Sequence, residues 1–131
     1  LIDECGVNII LVGDSLGQVI QGSKNTHLVS MEDMLYHTKL VSKGRKNAYL
    51  IADMPINSYK KTKQALINAR RFMNECGAEM VKIETNMNRY QNYVYENLVN
   101  YFFNKKYDLI TSITIMDRLK TMYKVLRKYN D

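Results

Sequence analysis

Three short apolar runs punctuate the first 84 residues, and each closes on an acidic side chain: NIILVGD (8–14), NAYLIAD (47–53) and AEMVKIE (78–84). The runs are continuous rather than alternating, the pattern of strands covered on both faces. Each belongs to a larger unit that recurs as DECGVNIILVGD (3–14), SKGRKNAYLIADMP (42–55) and NECGAEMVKIET (74–85). In that unit a helix end is followed by glycine, a short gap and a strand. Gly6, Gly44 and Gly77 are therefore expected just past helix ends, in the left-handed conformation that glycine adopts without steric cost.

Helical spacing fills the intervals. SMEDMLYHTKLVSK (30–43) begins with Ser30 and has Asp33 three residues later, an acidic variant of the capping box. It brings Met34, Leu35, Thr38 and Val41 to one face. KKTKQALINARRFMNE (60–75) does the same with Ala65, Ile67 or Asn68, Ala69, Phe72 and Met73. The order β-α-β-α-β has strand-end acids at Asp14, Asp53 and Glu84, intervals of 39 and 31 residues. A crossover unit needs about 30 residues, so each interval holds one, and the strands run parallel. The fold class is α/β, either an arc of a (β/α)8 barrel or an open doubly wound sheet. Residues 87–131 read as one further α-β-α: a helix in NYVYENLVNYFFNKK, a strand in DLITSITIM and a basic-faced helix in DRLKTMYKVLRKYND.

Composition narrows the function classes. The formal charge is +6, yet Lys and Arg are scattered and accompany no nucleic-acid motif, so no nucleic-acid partner is expected. No apolar run approaches the roughly 20 residues that span a bilayer. The first residues, LIDECG, have neither Met nor a basic leader and read like the interior of a longer protein rather than a signal peptide. Cys5 and Cys76 match neither a zinc nor a disulfide pattern and are expected as reduced thiols.

Candidate chemistry lies at the strand ends. In both architectures βα loops beyond the C-terminal edge of the sheet build the site. One strand-end aspartate is commonly a helix cap, but Asp14, Asp53 and Glu84 deliver three carboxylates to one edge. Such charges repel unless a cation joins them, and an all-oxygen set without Cys or His suits Mg2+. Lys82 and Glu84 are two apart on one strand and share a face. Lys82 is there either as an ion-pair partner of Glu84 or to receive an anionic substrate. His37 falls mid-helix and is expected to pack. Ser58 and Tyr59 either border the site or shape the loop.

These residues carry a resemblance. LVGDSLGQVIQG resembles the Gly-Asp-Ser-Leu-Gly strand end of the ketopantoate hydroxymethyltransferase (3-methyl-2-oxobutanoate hydroxymethyltransferase) family. NTHLVSMEDMLYHTKLVSKG resembles its Thr-x-x-Val-(Thr/Ser)-x-x-Asp-Met-x-Tyr-His-Thr segment, ADMPINSY its Asp-Met/Leu-Pro-Phe-x-Ser-Tyr loop, and GAEMVKIE its Gly-Ala-x-x-Val-Lys-Leu-Glu strand. Four motifs in order, over residues 1 to about 84, resemble the N-terminal half of that family.

The resemblance implies a (β/α)8 TIM barrel, here partial, in a cytoplasmic homo-oligomer of the pantothenate pathway. Residues 1–86 would carry the site and 87–131 a divergent tail of the same domain. Mg2+ would be held at Asp14, Asp53 and Glu84. The substrate 3-methyl-2-oxobutanoate would meet Asp14, Ser15, Asp53 and Lys82. The co-substrate would be 5,10-methylenetetrahydrofolate and the product 2-dehydropantoate, through an enolate stabilised by the metal.

The sequence also departs from the family. Thr85-Asn86 stand where the family has Gly-Gly, and its Gly-His-x-Gly-Leu-Thr-Pro-Gln segment and later glutamate base have no counterpart. No catalytic base is therefore assigned. Two alternatives follow: a non-catalytic remnant of that enzyme, or a Mg2+-dependent C–C lyase or mutase of the phosphoenolpyruvate/pyruvate barrel group.

Overall fold

A computed structural model describes residues 1–84 and the strand at 108–112. A 3-10 turn, Asp3–Cys5, leads into β1 (Ile9–Val12) and the short helix α1 (Leu16–Val19). Then come α2 (Met31–Gly44), β2 (Tyr49–Asp53), α3 (Thr62–Cys76), β3 (Met80–Glu84) and β4 (Asp108–Ser112). The sheet runs β1-β2-β3-β4 in sequence order with every neighbouring pair parallel. The α/β class and the crossovers expected from the acid spacing are present. β4 falls within DLITSITIM, whereas the helices expected in 92–106 and 117–131 lie outside the described residues.

Local chemistry explains the helix boundaries. Ser30 caps α2 with both arms of the capping box: its hydroxyl accepts from the Asp33 N–H, and Asp33 accepts from the Ser30 N–H. Gly6 and Gly77 close their helices with φ of 81° and 68°, as expected. Gly44 does not. It remains the last helical residue of α2, and the chain leaves through an extended Arg45. The reason is visible in the Arg45 side chain, which reaches the carbonyls of Ala48 and Gly77 and so turns the chain directly into β2.

The core forms where α2 and α3 lie on the sheet. Val12, Leu50, Ala52, Val81 and Ile83 meet Met34, Leu35, Ala65, Ala69 and Phe72. Asn68 rather than Ile67 faces inward on α3, and Ile67 is 48% exposed. Alternate residues leave the other sheet face. There Ile9 and Leu11 are 57% and 48% exposed, so among the described residues β1 is covered on one side only. Continuous apolarity led to the expectation of two covered faces, because periodicity cannot show what lies against the second.

A polar network locks the N-terminal ends of the strands. The Asp3 carboxylate accepts from the backbone N–H groups of Lys46, Asn47 and Ala48. The Arg45 guanidinium lies 2.6 Å from Glu79 Oε1, and Glu79 Oε2 accepts from the Leu50 N–H. These contacts satisfy backbone groups that the α2–β2 connection would otherwise bury unpaired. Among the described residues no helix is long and apolar enough to cross a membrane.

Candidate functional site

At the opposite, C-terminal end of the sheet the chain breaks its regularity in a controlled way. β1 stops at Val12, and Asp14 lies two residues beyond it, followed by Ser15 at the start of α1. Gly17 lets α1 press against the following loop: a Cβ there would stand 2.5 Å from Val29 Cγ2. This close packing fixes the Asp14–Ser15 corner over the sheet edge. A Cβ at Gly13 would meet Ser15 Oγ at 3.2 Å and Asp53 Oδ2 at 4.0 Å, so the corner borders the end of β2. Asp14 is half-buried and Ser15 exposed.

Asp53 and Lys82 are register partners on β2 and β3. Lys82 Nζ lies 2.8 Å from Asp53 Oδ2 and 2.8 Å from Glu84 Oε1. The ammonium is thus shared by two of the three expected acids, and the pairing with Glu84 anticipated from their spacing is joined by a second one. The Asp53 side chain is 4% exposed, that of Lys82 16% and that of Glu84 59%. Burial works against the Lys82 charge, but the hydrogen bonds with Asp53 and Glu84 outweigh it and hold its pKa above the usual lysine value. Burial pushes the Asp53 carboxyl up against the pull of Lys82, and the charges of Asp14 and Glu84 push the same way. Asp14 therefore lies within electrostatic reach of Asp53.

A cation would be favoured here for two reasons. Two carboxylates share one ammonium and Asp14 adds its charge beside Asp53, which leaves two formal negative charges. Asp53 Oδ1 is buried and has no hydrogen-bond partner. A buried carboxylate oxygen without a donor is costly, and a hard cation is what such an oxygen accepts. Among the described residues no three His, Cys, Asp or Glu side chains are drawn together closely enough to form a metal cage. Mg2+ does not demand one, since it is commonly bound by one or two carboxylates with water and substrate oxygens. The donor set fits that ion through Asp53.

The β2–α3 loop supplies a residue that the sequence left undecided. Tyr59 donates its phenolic hydrogen to the Glu84 carbonyl at 2.9 Å. Burial, with help from Glu84, Asp53 and Asp14, pushes the Tyr59 pKa up to about 12. Ser58 is buried; its carbonyl accepts from Asn68 Nδ2 of α3 at 2.7 Å, while its Oγ has no partner. A cleft of about 280 Å3 lies beside this loop, lined in part by His27, Ser30, Gln64 and Asn68, and none of the three acids lines it. His37 is half-buried on α2 with its ring edge-to-face against Tyr36, in keeping with a packing role. Cys5 and Cys76 are free thiols.

Comparison with known proteins supplies the context for this edge. The family model described as ketopantoate hydroxymethyltransferase matches residues 1–101. A 3-methyl-2-oxobutanoate hydroxymethyltransferase of Ruthia magnifica subsp. Calyptogena magnifica is 58% identical over 82 residues, 63% of this chain and 31% of that relative. Its namesake from Vesicomyosocius okutanii subsp. Calyptogena okutanii is 60% identical over 82 residues, with the same coverage. That from Clostridium beijerinckii is 52% identical over 89 residues, 67% of this chain and 32% of the relative. The chain spans about a third of the length of the curated relatives it matches.

Proposed function

The chain belongs to the ketopantoate hydroxymethyltransferase family of enzymes, and from that membership we propose that it carries the metal and keto-acid part of such a catalytic centre. The reaction is hydroxymethyl transfer from 5,10-methylenetetrahydrofolate to 3-methyl-2-oxobutanoate, giving 2-dehydropantoate. The parallel strands described here form one arc of a (β/α)8 barrel within a cytoplasmic homo-oligomer. A non-catalytic chain is the second reading, favoured by one observation: Thr85-Asn86 stand beside Glu84 where the family has Gly-Gly.

The single observation that carries the first reading is the buried Asp53 carboxylate, with one oxygen on Lys82 and the other without a partner. Asp53 would hold Mg2+ through its unpartnered oxygen, with the charges of Asp14 and Glu84 favouring the ion nearby, and the metal would supply Lewis acidity toward the oxygens of the keto acid. Lys82 offers its ammonium to the substrate carboxylate, exchanging one of its two present partners for it. Ser15, exposed at the corner before α1, donates a hydrogen bond to the same substrate. Charge held at the α-oxo acid weakens the C3–H bond; its proton goes to a base supplied by a segment outside 1–84, and C3 bonds to the one-carbon unit, which parts from the folate nitrogens to release tetrahydrofolate while one water supplies the hydroxyl oxygen. Burial strengthens the contact between Asp53 and Lys82, whose side chains are 4% and 16% exposed.

Isothermal titration of the full chain with 3-methyl-2-oxobutanoate, with and without Mg2+, tests the binding. Mg2+-dependent uptake is expected, and Asp53→Asn abolishes it. Uptake unchanged in that variant would overturn the site assignment. Deuterium exchange at C3 of the keto acid then separates the readings: exchange supports the catalytic chain, binding without exchange the non-catalytic one.

A further inference from the structure

We propose that Tyr59 is a positioning residue for the acidic edge: its O–H replaces a missing rung of the β2–β3 ladder and thereby sets Glu84 against Lys82. This rests on the function proposed above for the choice of ligand, but the contact itself does not.

The argument starts from register. Asp53 pairs with Lys82, and the Met54 N–H donates to the Lys82 carbonyl at 2.9 Å. Along a parallel ladder such bonds recur every second residue, so the next donor would be the N–H of Ile56 and the next acceptor the carbonyl of Glu84. Pro55 intervenes and the chain turns away, with the Ser58 N–H closing on the Pro55 carbonyl at 3.0 Å and Asn57 in the left-handed region at φ 75°. The Glu84 carbonyl is left without that donor. Tyr59 supplies it at 2.9 Å from three residues farther along the loop.

The loop is itself anchored. Asn68 Nδ2 holds the carbonyl of Ser58, the residue before Tyr59, at 2.7 Å. A line of contacts thus runs from α3 through Asn68, Ser58 and Tyr59 to the backbone of Glu84. Glu84 needs such a tie more than its neighbours, because its side chain is 59% exposed and lies at the end of β3. Without it Glu84 would be held only from the β4 side, through its pairing with Ser112, and its carboxylate would be less firmly set against Lys82.

Tyr59→Phe keeps the ring and removes only the hydroxyl. In the full chain the nuclear Overhauser contact between the Lys82 ε-methylene and the Glu84 γ-methylene is expected to weaken, with the thermal midpoint moving by only a few degrees. Asn68→Ala, which frees the loop one step back, weakens the same contact. Mn2+, followed by electron paramagnetic resonance, is expected to bind about three- to tenfold more weakly to Tyr59→Phe, the equivalent of one ordinary hydrogen bond. If the Lys82–Glu84 contact is the same in Tyr59→Phe as in the parent chain, the proposal is overturned. If the contact weakens but neither chain binds Mn2+, the positioning role stands and the metal reading fails.

Discussion

Lys82 Nζ and Asp53 Oδ2 meet at 2.8 Å across a pair of register partners, and both side chains are largely buried. An ion pair in this setting is costly to break from one side, because the remaining charge stays buried alone. Lys82→Met is therefore expected to destabilise the chain by about 3 kcal/mol, whereas Lys82→Met with Asp53→Asn recovers part of that loss. Urea unfolding of the two variants and the parent chain measures the difference.

Asp3 gives a pH signature of opposite location. Hydrogen bonds from Ala48 and Lys46, with Asn47 adding a smaller share, hold its carboxyl below the ordinary aspartate range despite its burial. A folded-state pKa below the unfolded one contributes stability that is complete above the unfolded value and is lost as pH falls through the folded value. The chain is expected to lose stability on acidification below about pH 4, the unfolded aspartate range. Asp3→Asn lowers stability at neutral pH and flattens this acid limb. Thermal midpoints recorded from pH 2.5 to 7 in both chains test the sign.

Gly17 is a steric requirement. Alanine there places its Cβ 2.5 Å from Val29 Cγ2, and a β-branched neighbour cannot swing aside cheaply. Gly17→Ala is expected to cost about 1–3 kcal/mol, against the gain that alanine ordinarily brings to a helix. The Asp14–Ser15 corner shifts with it, so keto-acid affinity falls as well. Calorimetric unfolding and titration of the same sample read both effects.

Among the described residues β1 forms one margin of the sheet, with Ile9 and Leu11 exposed on one face. An apolar edge of this kind pairs readily with another chain. The isolated chain is expected to associate in a concentration-dependent way, and Leu11→Lys to shift it toward monomer. Sedimentation velocity over a tenfold range of concentration follows the change.

Local features were the most legible from sequence. The Ser30–Asp33 cap, the left-handed Gly6 and Gly77, the parallel crossovers and the strand holding Lys82 and Glu84 all follow from spacing alone. Gly44 escaped the pattern because the neighbouring arginine, not the glycine, decides how α2 ends. The partnership of Lys82 with Asp53 joins residues 29 apart and depends on register, which periodicity does not fix. Tyr59 gave a faint signal: an aromatic residue four places after a proline, in a loop that follows a strand-end acid. The Asp3–Arg45–Glu79 network gave none, since it joins backbone groups and an ion pair contributed by residues far apart in the chain.

That network has a consequence of its own. Its anchors sit where β2 and β3 begin, and Asp53 and Glu84 of the proposed site sit where the same strands end, one strand length away. Robustness and reactivity thus have separate addresses in this molecule. Mutational drift at the mouth can retune or erase chemistry while the scaffold persists, and reinforcement around Arg45 can harden the scaffold without touching what the mouth does.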